Sequence, residues 1–417
     1  MTAPAGREFD AVIVGAGVTG TVMAGLLIAR NLCAAGRVAV VAERFAAEPA
    51  VDADWDLRVF ALSRASERVL AVCGVWDSLP PQRVFPYEHM CVWDSAGAPD
   101  AKGSIRFDCA TMGEPNLGFI VDGRALQWQC LKAARDAGTV FMEAGIEALG
   151  AAEDGITLRL SDARTVRTRL LIGADGQESK TRALLGIETA GHSYHQDALV
   201  AHVRTAKPHR STAWQRFLAG GPLAFLPLPD GRSSIVWSAG LAEARRLRAL
   251  DGQAFGAALT DASGGVLGAC ELSSALASYP LKLEYALDYV RPRAVLLGDA
   301  AHVVHPLAGQ GLNLGLLDCA VLAEVLGQGG GAANFGEQRF LRRYERRRRS
   351  ENQLAAAALD GLERLFSAQH PLTAGLRIAG LSAVGRVPFI KRRLARQALG
   401  WVDVPEFLKA DRPLPHK

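Results

Sequence analysis

Three short stretches of the chain combine acids with glycines in ways that suit phosphate and polyol recognition. Gly15, Gly17 and Gly20 form GAGVTG behind the apolar run Phe9 to Val14. In such a turn the first glycine permits a tight bend, and the second lets a pyrophosphate approach the backbone. The third allows close helix packing, with the helix N-terminus facing the anion. Glu43, with Arg44 beside it, ends the next apolar run, Val38 to Val41, where a carboxylate can bind the hydroxyls of an adenosine ribose. An acid there disfavours a ribose 2′-phosphate, so the site is expected to take FAD or NAD rather than NADP.

The second stretch, Gly173-Ala174-Asp175-Gly176 followed by Ser179 and Arg182, ends another apolar run and reads by itself as a turn with a helix-capping acid. The third, GDAAHVVHPLAGQGLNLGLLD, follows Ala294 to Leu297. Asp299 at that strand tip can accept hydrogen bonds from a polyol such as a ribityl chain. Gly309, Gln310, Gly311, Leu312 and Asn313 offer backbone N–H groups at a helix start, where the negative charge of a reduced flavin is stabilised. His302 and His305 have a spacing that one helical face could share, but Pro306 and the glycines argue against a regular helix, and no metal site is expected. The seven cysteines are scattered without a CxxC pair, which fits reduced, mostly buried thiols.

Strands must bring these residues to one edge. Phe9 to Val14, a helix over the following residues and Val38 to Val41 make a βαβ opening, with Asn31 to Ala35 as an extra loop before the second strand. Arg169 to Asp175 and Ala294 to Asp299 repeat the strand-to-motif transition, so three separated segments are expected to lie parallel in one sheet of a discontinuous domain. Between about Ala198 and Ser238 the segments ALVAHVRT, AWQRFLAGG, AFLPLP and SSIVWSA, divided by Pro and Gly, read as an inserted antiparallel sheet. Beyond Phe340 the chain reads as helical, with turn signals at Gln369 to Pro371 and near Pro388. The fold class is therefore α/β: a Rossmann-like FAD-binding domain (1–80, 105–185 and 288–340), a substrate domain with the inserted sheet (81–104 and 186–287), and a C-terminal helical region (341–417).

At 417 residues, 49% hydrophobic and 22% charged, the chain has an ordinary globular composition. No uncharged apolar stretch is long enough to span a bilayer, and the first ten residues lack the pattern of a signal peptide, so a cytoplasmic chain is expected. The net charge of +4 conceals an asymmetry. Phe340 to Arg396 carries 13 Arg or Lys against four acids, a local +9 that leaves −5 for the rest. RRYERRRRSEN (342–352) lacks the aromatic interleaving of single-strand nucleic-acid binders, so a solvated helix face is the default and no nucleic acid is expected. Leu376 to Leu399, with Arg386, Lys391, Arg392, Arg393 and Arg396 among apolar residues, suits an anionic lipid surface or a lipid-handling partner.

Taken together, the motifs resemble those of the class A flavin monooxygenases and, within them, the ubiquinone-biosynthesis hydroxylases (the UbiH, UbiF and UbiI group). The pieces that carry the resemblance are GAGVTG with Glu43, Asp56 to Trp76, VDGRALQWQ (121–129), GADGQESKTR, GPLAFLPLP and the stretch from Gly298 to Asp318. The resemblance implies a para-hydroxybenzoate-hydroxylase-like fold and an FAD cofactor reduced by NAD(P)H as co-substrate. It implies hydroxylation of a lipophilic prenylated phenol by O2 through a C4a-hydroperoxyflavin. Arg58 and Arg124 would approach the pyrophosphate or ribityl chain, Asp175 and Gly176 would serve both FAD and the nicotinamide, and Asp299 would hold the ribityl. Gly309 to Asn313 would border the isoalloxazine and Pro306 would line the reaction face, with His302 and His305 as candidates for proton transfer. Gly123 and Cys319 depart from the usual residues beside the motifs and are expected to alter packing rather than chemistry.

The implied partners extend to other ubiquinone-biosynthesis proteins and to the inner face of the cytoplasmic membrane as a peripheral site, and the reading leaves room for a homo-oligomer. Two rival functions set the contrast. One is a hydroxylase of a small soluble aromatic acid, which would need carboxylate-binding residues such as Arg216 and Arg232. The other is a flavin-bound scaffold of a lipid-biosynthetic complex without its own turnover.

Overall fold

Phe9 to Val14 is buried along its whole length, as a strand with neighbours on both sides must be. It belongs to a computed structural model that describes residues 7–95, 97–99, 104–152, 154–304, 310–367 and 399–409. In chain order the first unit is β1 (Arg7–Val14), α1 (Val18–Ala29) and β2 (Val38–Ala42), followed by β3 (Val59–Leu62) and α2 (Arg64–Val72). Next come β4 (Val84–Tyr87), β5 (His89–Asp94), β6 (Ser104–Asp108), β7 (Gly118–Asp122) and α3 (Gly123–Asp136). Then follow β8 (Val140–Glu143), β9 (Ile146–Ala152), β10 (Gly155–Leu160), β11 (Thr165–Gly173) and α4 (Lys180–Leu184). The long β12 (Thr189–Thr205) opens a second group with β13 (Thr212–Leu218), β14 (Gly221–Pro227), β15 (Ser233–Gly240), α5 (Leu241–Arg248), α6 (Gly252–Ser263), β16 (Cys270–Leu272) and β17 (Ala277–Ala286). The chain returns through β18 (Val290–Arg291), β19 (Ala294–Leu296) and β20 (His302–Val303) to α7 (Gln310–Gln328), α8 (Gln338–Ser367) and α9 (Glu406–Lys409).

The three segments expected to be parallel are parallel. The first sheet runs β18-β19-β11-β1-β2-β8, with β10 and β9 added antiparallel on β11. Register sets Val14 beside both Gly173 and Val41, and Gly173 beside Leu296. The residues that follow each strand therefore emerge side by side at the carboxyl edge, where ligands bind in open α/β sheets. The chain turns after Arg30 and re-enters the sheet at Val38, so Asn31 to Ala35 is the loop that the spacing indicated.

The second sheet runs β20-β17-β12-β15-β14-β13-β5-β6, with β16 on β12, and is antiparallel except between β13 and β5. Leu199, Ala201, Val203, Leu223, Phe225, Ile235 and Trp237 turn one face toward Leu247, Phe255 and Leu259 of α5 and α6. Alternation along the strands leaves the residues between them on the opposite face. β4 pairs with β7, which also pairs with β3, in a small third sheet, whereas β5 and β6 join the second sheet and carry it to Asp108.

Helix α7 is the one helix among the described residues long and apolar enough to cross a bilayer, yet 67% of that stretch is buried. It is the core helix of the first domain, packed against α1 and α8. Its one fully buried acid, Asp318, explains how α8 is seated. Arg348 donates from Nε to Asp318 Oδ1 at 2.7 Å, and Asn352 Nδ2 donates to the same oxygen at 3.1 Å. Burial alone would raise the Asp318 carboxyl, but His302 and Arg348 outweigh it and hold the group well below the usual carboxylate range.

The solvated basic face expected of α8 is found at Arg343 and Arg346, which are exposed, but not at Arg348, which is only 1% exposed. Tyr344 also turns inward and donates to Leu296 O at 3.0 Å. The turn signals near 369–371 and 388 and the basic apolar segment up to 398 lie outside the described residues.

Removing one partner of a buried ion pair leaves an uncompensated charge, so Arg348→Met is expected to lose roughly 3–5 kcal/mol of stability. The exposed Arg346→Ala is expected to stay within about 0.5 kcal/mol. Urea unfolding of the two variants beside the parent checks this, and equally small shifts would contradict the assigned role of Arg348.

Candidate active site

Each glycine of GAGVTG meets a different physical demand. Gly15 has φ +110°, and a Cβ there would sit 2.2 Å from Ala174 O at the end of the neighbouring strand. A Cβ on Gly20 would sit 2.0 Å from Gly15 O, so the helix start and the turn are in backbone contact. Gly17 is the opposite case, with nothing within 4 Å of its Cβ position. It is also the N-cap of α1, without a capping side chain and without an acid in the first turn. The positive end of the helix thus faces an open approach, as an anion would require. Glu43 and Arg44 are exposed just past β2, at the same edge.

Asp175 behaves differently from an acid waiting for a ligand. Its Oδ1 accepts from Ser179 Oγ at 2.5 Å, and its Oδ2 accepts from Thr181 N and Oγ1 at 2.9 Å each. The carboxylate is engaged in fixing its own turn ahead of α4. Gly176 beside it has φ +82° and open space about it. Arg182 completes the brace, donating to Ala300 O at 3.0 Å and to Glu284 Oε1 at 3.0 Å.

Asp299 is exposed in the single tight turn Gly298–Ala300, and among the described residues its carboxylate accepts no hydrogen bond. The turn itself is held firmly. Gly298 has φ +54°, and its N–H donates to Asp318 Oδ2 at 3.1 Å. Thr19 of α1 lies against both Gly298 and Gly315, where added Cβ atoms would approach its Oγ1 at 3.1 and 3.0 Å. The GAGVTG helix and the Asp299 turn therefore share a wall.

At the start of α7, Gln310, Gly311 and Leu312 are half-buried, and Asn313 is 2% exposed. The Asn313 side chain is structural: Oδ1 accepts from Ser63 N at 2.9 Å and Ser66 Oγ at 2.7 Å, and Nδ2 donates to Ala61 O at 2.9 Å. That ties α7 to β3, whose other end begins after Arg58. His305, Pro306 and Gly309 lie outside the described residues. His302 is 2% exposed, and its Nε2 pairs with Asp318 Oδ2 at 2.6 Å. It also lines a cavity of about 500 Å³ between β12, β17, β20 and α8, with Tyr285, Asn352 and Asp360.

Arg58 and Arg124 are both exposed. The Arg58 guanidinium lies over the Phe60 ring at 5.1 Å, and Arg124 Nη2 donates to Asp54 O at 2.8 Å. Gly123 donates to Arg58 O at 3.0 Å, and a Cβ there would lie 2.3 Å from that oxygen. Glycine at position 123 is thus a packing requirement of the Arg58 loop. Cys319 is fully buried, and its Sγ donates to Thr19 O at 3.3 Å, again a packing role at the shared wall.

Sequence reasoning missed Asp318 and Arg348, the brace at Arg182 and the fixing of the Arg58 loop by Arg232. An acid inside the apolar run Leu314 to Val325, six residues ahead of Glu324, was the available signal for Asp318. The remaining contacts join residues far apart in the chain.

The cradle separates two kinds of glycine variant. Gly17→Val fits open space and is expected to fold while losing FAD, whereas Gly20→Val collides with Gly15 O and is expected to lose stability itself. Thermal melting beside the flavin absorbance of the purified variants checks this, and a folded Gly17→Val protein with full flavin would contradict the pyrophosphate assignment.

The sequence profile of the FAD binding domain family matches residues 8–358. The 3-demethoxyubiquinol 3-hydroxylase of Escherichia coli K12 is 34% identical over 401 residues, covering 94% of this chain and 98% of that one. The ubiquinone hydroxylase UbiL of Rhodospirillum rubrum is 36% identical over 422 residues, covering 100% of this chain and 95% of that one. Among solved structures, p-nitrophenol 4-monooxygenase PnpA from Pseudomonas putida superposes with a TM-score of 0.73 at 17% identity, covering 98% of this chain and 100% of that one, and this shows the shared fold. A bare-backbone turn at an uncapped helix, exposed acids at two strand tips and near full-length similarity converge on one conclusion: the chain belongs to the FAD-dependent aromatic monooxygenases, in the family of the ubiquinone-biosynthesis hydroxylases.

Proposed function

We propose that the chain hydroxylates the aromatic ring of a polyprenylated phenol of ubiquinone biosynthesis, using NAD(P)H and O2. The observation that carries the substrate class lies on the face of the second sheet opposite α5 and α6. Val200 pairs with Val236, and Val236 with Ala224, so three half-buried apolar residues run in a row across β12, β15 and β14. Leu226, also half-buried, shares that face further along β14, where it packs against Trp55, Ile120 and Leu228.

The rival, a small aromatic acid, would need a cation there. Arg216 pairs with Leu223 and shares the face covered by α5 and α6, where it donates to Ala262 O at 2.9 Å and Ser95 O at 2.9 Å. Arg232 is 8% exposed and donates to Asp54 and Asp230. Both arginines are engaged inside the protein, which favours an uncharged lipophilic ring.

Bound FAD, once reduced by NAD(P)H, supplies the reaction of O2 with the ring. The chain's own residues bind, orient and shield. Gly17 and the start of α1 receive the pyrophosphate, Glu43 the adenosine ribose, and Asp299 the ribityl hydroxyls. The N-terminus of α7 favours negative charge at the flavin ring. The apolar row excludes water from the reacting centre. His302 and His305 remain the candidates for proton transfer at the substrate phenol, with Pro306 lining the reaction face.

The test is a mass-spectrometric quinone profile of source cells lacking the gene. Loss of ubiquinone with accumulation of a prenylphenol lacking one oxygen is expected, and an unchanged profile in cells without a second hydroxylase would reject the pathway. Such a substrate resides in the membrane, so we also propose docking at the inner face of the cytoplasmic membrane through the basic segment that includes Lys391, Arg392 and Arg393. Changing these three to Glu is expected to weaken co-sedimentation with anionic liposomes, and unchanged co-sedimentation would sink that idea.

A further inference from the structure

The loop from Ala53 to Arg58 is held from two sides. On the flavin side, Arg124 donates to the Asp54 carbonyl at 2.8 Å, Gly123 donates to the Arg58 carbonyl at 3.0 Å, and Asp56 N donates to Asp122 Oδ2 at 2.9 Å. On the other side stands the hairpin between β14 and β15. Arg232 Nη1 donates to Asp54 Oδ2 at 3.0 Å, its Nη2 donates to Asp54 Oδ1, and its Nε donates to Asp230 Oδ2 at 2.7 Å. Fork-to-fork pairing of this kind fixes orientation as well as distance.

Two further contacts make the second side rigid. Trp55, 8% exposed, packs with Ile120 of the small sheet and Leu228 of the hairpin. His202 of β12 is fully buried, burial lowers its imidazole from the ordinary value, and its Nε2 donates to the Asp56 carbonyl at 3.1 Å. Asp54 itself is the exposed end of the clamp, with 60% of its side chain open to solvent. The Arg232 fork is the chief reason its carboxyl is lowered to about 2, so the pair is ionised throughout the neutral range.

We propose that Arg232 is a positioning residue for the flavin: held by the substrate sheet, it grips the Asp54 carboxylate while the Asp54 carbonyl receives Arg124, so the seat of the substrate sheet sets the placement of Arg124 and Arg58 at the cofactor. The inference rests on the reading of this cleft as the FAD site and of the two arginines as its ligands. It adds a residue from the other domain, which touches neither cofactor nor substrate and acts through Asp54. It also makes the inter-domain contact part of cofactor retention.

The test is FAD affinity of the full-length protein, followed by flavin fluorescence on release and rebinding, for Arg232→Gln, Asp54→Asn, Arg124→Ala and the Arg232→Gln/Arg124→Ala double variant. Each clamp variant is expected to weaken FAD about tenfold, and Arg232→Gln is expected to add little once Arg124 is gone, the non-additivity that marks a shared path. Arg232→Lys keeps the charge but not the fork and is expected to recover only part of the affinity. Asp54→Asn acts at the exposed end and guards against an effect of misfolding at Arg232. Parent-like affinity in both clamp variants, or penalties that multiply in the double variant, would overturn the proposal while leaving the FAD site intact. Unchanged affinity in Arg124→Ala would remove that arginine from the site and the proposal with it, and a parent protein that binds no FAD would sink the underlying reading instead.

Discussion

The Asp318 carboxylate is the interaction on which the architecture of the site depends. It is fully buried in the core helix and receives four hydrogen bonds: Gly298 N and His302 Nε2 on one oxygen, Arg348 Nε and Asn352 Nδ2 on the other. Those donors belong to the strand-tip turn, the short β20 and α8. One charge therefore fixes the turn that presents Asp299, the short strand His302–Val303, and the helix that packs on α7. A buried ion pair is a weak source of net stability compared with an apolar replacement, but it penalises every arrangement in which one partner is missing. Its use here is to specify a single placement of three elements at the edge where ligands bind.

Around that fixed point the site is organised by contrast between closed and open backbone. Gly15 and Gly20 are glycines because any Cβ would strike backbone, and Gly17 and Gly176 are glycines facing open space. The first pair builds the wall, and the second pair leaves the approach to it bare. The acids divide in the same way. Asp175 and Asp318 are turned inward and fully engaged, while Glu43 and Asp299 are exposed. Residue type at a motif position therefore does not reveal the role, and the direction in which the side chain is committed does.

Much of this was legible in the sequence because it is local. The three strand-to-motif transitions, their parallel order, the loop at Asn31 to Ala35 and the inserted sheet all follow from periodicity and turn residues within short windows. What escaped was long-range. Arg348 sits in a run of arginines whose composition suggests solvent, and only the approach of α8 to α7 turns it inward. Arg232 reads as a substrate-binding cation until the loop carrying Asp54, 178 residues away, closes on it. Asp175 reads equally as a ligand or a cap, and the hydrogen bonds from Ser179 and Thr181 reach it only once α4 has formed.

The cleft at the strand tips and the apolar row of the second sheet together suit a flavin hydroxylase of an uncharged prenylated ring. The most direct measurement is incorporation of oxygen from ¹⁸O2 into a short-chain prenylphenol by the purified FAD-loaded protein with NAD(P)H. One labelled oxygen on the ring per hydroxylated product is expected, with no stimulation by free hydroxybenzoic acids. Flavin turnover without labelled product, or labelling of the soluble acids in place of the prenylphenol, would contradict it.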